Sequence, residues 1–366
     1  MTALPTRKLE SWRYTDLRGL SAISFAEPPA LESVSDLPDL PFPRAVFLNG
    51  VASPTLSTKS AYFSPFAPVR QSCPGPMAQI NAEQARDGMT VEIPAGENAG
   101  EILLISEARG DEAFAFHLRH RVKLAENATL TLVEIDKGTN IYWQNSVFEI
   151  ELAPGAQLQH FRLQQEGEEA FNTTSLYANI GEDAAYEHFT LTLGARLSRT
   201  EIEANLQGER ALAHLNAAQL LGGAQHGDFT SIIRHKAPHC PSRQTVKSVL
   251  AGKARGVFQG KIEVDQIAQK TDGYQMSQAL LLSPHAEMDI KPELQIFADD
   301  VKCSHGATIG ALDEEQVFYL RSRGIPEADA RQILIRAFLE EALEPVTHDT
   351  ARLLFEAVLE SWWNRQ

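Results

Sequence analysis

Three stretches of this chain alternate apolar and polar residues with a period of two: Ala128-Thr-Leu-Thr-Leu-Val-Glu-Ile135, Ala156-Gln-Leu-Gln-His-Phe-Arg-Leu163 and Tyr186-Glu-His-Phe-Thr-Leu-Thr-Leu193. Successive strand residues point to opposite faces, so this pattern predicts half-buried strands bounded by Gly, Asn and Asp turns. The turns recur as well. Glu126-Asn-Ala-Thr-Leu130, Pro154-Gly-Ala-Gln-Leu158 and Glu182-Asp-Ala-Ala-Tyr186 carry evenly spaced alanines at 128, 156 and 184, with a looser echo at Gly208-Glu-Arg-Ala-Leu212. A fixed repeat of this length in a strand-rich segment predicts stacked coils, each burying a face on the next: a mainly β chain built as a solenoid. A β-sandwich also gives many short strands, but at closer spacing and without the longer repeat.

The pattern changes at both ends. Ten prolines between Pro28 and Pro76 leave little room for long elements, so the start reads as an irregular, partly helical cap. One short helix is expected over residues 11–20, using Trp12, Tyr14 and Leu17. Beyond Leu312 the period becomes helical. Asp313 is an N-cap with Gln316 three residues on, Gly324 stops that helix, and Pro326 suits the first turn of the next. The second helix carries Ile333, Leu334, Ala337, Phe338 and Leu339 as an apolar stripe and ends before Pro345. Asp349 then caps a helix bearing Leu353, Leu354, Val358 and Trp362. The expected organisation is a partly helical region at 1–85, the solenoid at 86–312 and a helical domain at 313–366.

Composition adds two exclusions. A net charge of −15 over 366 residues repels phosphate backbones and argues against nucleic acid as a partner. No run of about 18 apolar residues is present to span a membrane, and no secretory signal is visible near the start. The three cysteines, Cys73, Cys240 and Cys303, do not make a disulfide framework; they fit a reducing cytoplasm.

Familiar catalytic motifs are missing. Ala251-Gly-Lys-Ala254 lacks the earlier glycine and the hydroxyl of a phosphate loop, and there is no nucleophile elbow, zincin helix or Cys-x-x-Cys pair. No nucleotide is expected to bind here, so any ATP requirement falls to another chain. Two clusters remain. In Lys302-Cys303-Ser304-His305-Gly306 a strand would point Cys303 and His305 to one face, and thiolate with imidazole suits iron, iron–sulfur centres, zinc or copper. Asp299 and Asp300 stand nearby to hydrogen-bond a histidine or attract a cation. A packed cysteine beside a turn histidine fits the same spacing. In His235-Lys-Ala-Pro-His239-Cys240, Pro238 interrupts the i, i+4 pair, which favours a turn between strands with His239 or Cys240 packed inward. The locally basic Lys253, Arg255 and Lys261 read as a solvated face or an anion contact.

The second cluster, extended to His235-Lys-Ala-Pro-His-Cys-Pro-Ser-Arg-Gln244, is followed by Gly256-Val-Phe-Gln-Gly-Lys-Ile262, Ala268-Gln-Lys-Thr-Asp-Gly273 and Pro292-Glu-Leu-Gln-Ile-Phe-Ala-Asp-Asp-Val-Lys-Cys-Ser-His-Gly-Ala-Thr308. Together these resemble the SufB/SufD scaffold family of iron–sulfur cluster assembly, and Phe318-Tyr-Leu-Arg-Ser-Arg-Gly-Ile325 follows in the place expected there. The opening Glu10-Ser-Trp-Arg-Tyr-Thr15 is similar to the SufD branch of that family. The resemblance implies a right-handed parallel β-helix flanked by helical regions, and a non-enzymatic, cytoplasmic scaffold. It implies pairing with a SufB-like subunit through the β-helices and binding of a SufC-like ATPase by the C-terminal helices, where Phe318, Tyr319, Arg321 and Phe338 are candidate contacts. His305 and Cys303 would then face the SufB-like partner as ligands of a transient iron–sulfur cluster shared with it. Whether Cys303 ligates or only packs is left open, as is a homodimer of the isolated chain. Two rivals stand beside this reading: a spacer that stabilises SufB without touching metal, and a β-helix carbohydrate-active enzyme using Asp299 and Asp300.

Overall fold

In the computed structural model, which describes residues 3–34, 37–38, 40–66 and 74–363, strands alternate between two sheets as the chain advances. Cys73 and the Trp362 side chain lie outside the described residues. From Asn98–Ala108 to Asp272–Leu281 each strand pairs in parallel with the strand one coil earlier and one coil later, and Glu287–Ile296 and Lys302–Gly310 pair with the earlier coil, giving a parallel β-solenoid of about 8 turns. Thr129 lies beside Gln157 and Gln157 beside Ala185, and hydrogen bonds such as Thr131 to Gln159 join residues 28 apart. The repeat in the sequence is therefore the length of one coil. Beyond Leu212 the coils lengthen, Ser242 lying beside Gly273, and the echo fades from the sequence while the stacking continues.

The repeated turn has a physical cause. Asn127, Gly155, Asp183 and Arg210 all sit at positive φ, where Gly and Asn/Asp are least strained. The alanine that follows each (Ala128, Ala156, Ala184, Ala211) is fully buried at the corner, where a larger side chain would push the coils apart. His239 continues the positive-φ row and Cys240 the buried one.

Both faces of the central strands are buried, not one. In Gln157–Glu166, Leu158, His160, Arg162, Gln164 and Glu166 face the lumen, while Phe161 and Leu163 face outward. Those outward residues are covered by the helices Glu327–Leu343 and Asp349–Trp363, with Phe189 and Phe355 rings 5.4 Å apart. The C-terminal helices thus share one apolar core with the sheet. Asp313 caps Glu314–Ser322 by accepting from the Glu315 N–H at 2.9 Å, and Gly324 ends that helix at positive φ.

The proline-rich start is less irregular than its composition predicts. Arg44–Leu48 adds a parallel strand beside Asn98–Ala108, and Pro76–Gln84 is helical. The expected helix over residues 11–20 is instead a short 3-10 turn, Glu10–Trp12, and a single turn, Arg18–Ser21. Trp12 is fully buried under the Arg199 guanidinium, 4.1 Å from the ring centre. Asp228 holds both Arg199 and the Thr15 hydroxyl, Gln259 donates to the Ser11 carbonyl, and Lys291 pairs with Glu10. The opening motif is a strap across four successive strands of one sheet, ending on the last, Glu287–Ile296.

The lumen contains a buried ionic network. Arg162 donates to Asp136, Glu134, Thr200 and Asn172, and the His160 Nε2 lies 3.1 Å from Glu134. With Glu166 also enclosed, three carboxylates surround one guanidinium. Burial, followed by the neighbouring Asp136, pushes Glu166 up to about 8, so it holds its proton near neutrality. A carboxyl whose folded value is raised contributes stability below its unfolded value and loses it as pH climbs toward the folded one. Glu166→Gln is therefore expected to gain stability relative to wild type progressively as pH rises from about 4.5 toward about 8. Urea unfolding at several pH values checks this; a pH-independent difference contradicts it.

Candidate functional site

The solenoid ends at two edge strands. Among the described residues Lys302–Gly310 pairs only with Asp272–Leu281, and Glu287–Ile296 only with Arg255–Val264. Their outward edges leave alternate N–H and C=O groups without strand partners. Burial collapses at the same point. Asp272–Leu281 alternates buried lumenal residues, whereas Lys302–Gly310 has none fully buried. Ile296, Phe297 and Ile309 are all exposed there, Phe297 at 59%.

Cys303 and His305 both lie on this last strand. Cys303 is in register with Gly273 and His305 with Gln275, two lumenal positions of the previous coil. Both side chains therefore share the lumenal face, as the two-residue spacing predicts, and that face is uncovered. They differ in surroundings. Cys303 is half-buried against Ile262, Val264 and Leu294, and its sulfur lies 3.4 Å from where a Cβ on Gly273 would be. Burial pushes its thiol up, a backbone hydrogen bond at Gly273 opposes this, and the Asp272 carboxylate reinforces it. His305 is exposed. Among the described residues no group of three or more His, Cys, Asp or Glu is placed to hold a metal ion.

The second cluster is a coil corner. His239 is the exposed, positive-φ turn residue, with its N–H bonded to the Gln269 carbonyl. Cys240 is enclosed, its sulfur donating to the Gly208 carbonyl at 3.3 Å, and burial pushes its thiol up to about 11. His235 faces the lumen, 2.9 Å from the Ser242 hydroxyl, and burial lowers it to about 4. All three are accounted for by packing. Asp299 and Asp300 lie on an exposed corner, where Asp300 is tied to Lys270 across the coil. Lys253 is a corner residue, while Arg255 and Lys261 are engaged by Asp289 and Glu263.

Of the candidate partner contacts, Phe318 and Tyr319 are 71% and 57% exposed on Glu314–Ser322, whose Val317 alone is buried. Arg321 pairs with Glu327 at 3.2 Å. Phe338 is half-buried, with Lys247 4.7 Å from its ring centre. The sequence reading missed the polar lumen. Residues such as Gln244 and Gln275 occupy alternate positions that look like a solvent face until the fold encloses them.

Residues 105–338 fit the family model described as SUF system FeS cluster assembly, SufBD core domain. The chain belongs to the SufBD family of iron–sulfur cluster assembly proteins. Among its relatives, the iron–sulfur cluster assembly protein SufD of Escherichia coli is 34% identical, over 94% of this chain and 85% of that protein. A SufBD family protein of Synechocystis is also 34% identical, over 94% of this chain and 84% of its own length. The chloroplastic protein ABCI7 of Arabidopsis thaliana is 30% identical over 94% and 79%. Among the described residues no helix is long and apolar enough to cross a membrane.

Thiol accessibility tests the geometry. In a Cys73→Ser background at pH 7, Cys303 is expected to alkylate roughly tenfold more slowly than in urea, and Cys240 not until the chain unfolds. Mass spectrometry of the labelled peptides reads this; rapid native labelling of Cys240 contradicts the corner assignment.

Proposed function

We propose that this chain is a cytoplasmic, non-enzymatic scaffold subunit that pairs with a SufB-like partner through its open final coil. His305 contributes to the ligand set of a nascent iron–sulfur cluster at that interface. The observation that carries the reading is that Cys303 and His305 share one face of an uncovered edge strand. A second chain adding its own edge would complete the hydrogen-bond ladder, cover Phe297 and Ile309, and bring further ligands to the same point. Two ligands from one side are too few to close a cluster site, so a shared one fits the chemistry.

The two residues would play different parts. A neutral imidazole binds iron without a prior proton loss, and His305 is exposed on the open coil. Cys303 must lose its proton on binding, and its apolar surroundings oppose this until metal supplies the charge. Those surroundings favour His305 as the ligand this chain presents first, with Cys303 packed beside it or recruited as metal arrives. The exposed Phe318 and Tyr319 would serve a SufC-like ATPase, whose nucleotide cycle moves the C-terminal helices and so the sheet they cover.

The test is co-expression with SufB and SufC partners, anaerobic purification, and iron and sulfide analysis. His305→Ala is expected to lower both per complex by at least about tenfold. Wild-type iron and sulfide in an intact His305→Ala complex would overturn metal contact and leave a spacer that only stabilises SufB.

A further inference from the structure

The lumen of the two coils before the last holds three side chains with unsatisfied polar atoms. Gln275 is fully buried, and neither its Nε2 nor its Oε1 has a hydrogen-bond partner. The Ser277 hydroxyl and Gln244 Oε1, equally enclosed, also have none. An unpaired buried polar group costs about 1–3 kcal/mol. Such atoms in a native interior call for a water, a ligand or a neighbour that turns toward them.

Their arrangement has a direction. Gln244 Nε2 donates to the Ser231 hydroxyl at 2.8 Å, which leaves Oε1 as its free end. Gly260, on the opposite wall, has no side chain, and the point its Cβ would occupy is 3.0 Å from Gln244 Oε1 and 3.1 Å from Gln275 Nε2. The acceptor end of one amide and the donor end of the next thus converge over a glycine. Gln275 Oε1 is the acceptor left over. One strand further out, in register on the same lumenal face, stands His305.

We propose that Gln275 is a positioning residue for His305: when the His305 ring turns toward the lumen, the partnerless Gln275 Oε1 one strand inward accepts an imidazole N–H and leaves the other ring nitrogen bare and facing out of the open coil. The second partner of a metal-binding histidine sets which nitrogen carries the proton, and a carbonyl oxygen does so without charging the ring. The amide row from Ser231 fixes the polarity, since a flipped Gln275 would set its Nε2 against the imidazole and its Oε1 against Gln244 Oε1. The purpose of this arrangement rests on the reading of His305 as a ligand; its geometry does not.

The experiment uses the metal-free full chain with ¹⁵N-labelled imidazoles. Two-bond ¹H–¹⁵N correlation reads each tautomer, and His305→Ala assigns the signal. Wild type is expected to show one His305 tautomer, and Gln275→Leu to shift the ratio by about fivefold, the equivalent of one ordinary hydrogen bond. Gln275→Glu, which restores an acceptor, is expected to restore the bias. Gln275→Leu gives up the Oε1 bond but also removes an Nε2 that has no partner, so the melting temperature is expected to stay near wild type, which separates positioning from a merely structural role. An identical tautomer ratio in wild type and Gln275→Leu would overturn the proposal. A Gln275-dependent tautomer alongside wild-type cluster yield in His305→Ala would support the positioning and sink the ligand role instead.

Discussion

In a parallel solenoid each strand takes its backbone partners, and each lumenal side chain its cover, from the coils before and after it. The arrangement stabilises every interior coil and cannot stabilise the last. At one end of this molecule the N-terminal segment supplies the missing neighbour, with Arg44–Leu48 pairing beside Asn98–Ala108. At the other end the described residues supply none. An unpaired edge flanked by exposed Ile296, Phe297 and Ile309 is an association-prone surface, and such edges persist where a partner completes them. The proposed ligands sit on that edge because any residue there faces a lumen with one wall missing.

The lumen extends the same logic inward. Where coils are covered on both sides, the interior holds a charged network around Arg162, closed by its own carboxylates and hydrogen bonds. Toward the open end formal charge disappears and neutral amides and hydroxyls take over, several without partners. The strap from Glu10 to Thr15 reaches the final coil through Lys291, so the terminal strands are tied to the body even though their outer edge is bare. A rigid, pre-shaped edge loses less entropy on docking than a frayed one.

Much of this was legible in the residues. Asn127-Ala, Gly155-Ala and Asp183-Ala report a left-handed corner followed by a position too tight for a large side chain, and their spacing reports the coil. The same rule explains His239-Cys240, where Pro238 already favoured a turn with a residue packed inward: His239 takes the positive-φ corner and Cys240 the buried site. The burial of Phe161 and Leu163 was not readable locally, since it depends on helices nearly two hundred residues later. Nor was the enclosure of Gln275, whose alternation matches a solvent face. For Cys303 and His305, spacing implied a common face, and that face is what the strand shows. Its openness is a property of the final coil, which no local pattern encodes.

The central claim is that His305 reaches metal from an edge that only a second chain can complete. Pulsed electron paramagnetic resonance on a reduced cluster, assembled in a complex where only this chain carries ¹⁵N-labelled histidine, tests it most directly. A ¹⁵N coupling of directly bound imidazole that vanishes in His305→Ala is expected. A loaded cluster with no such coupling in the wild-type complex would contradict it.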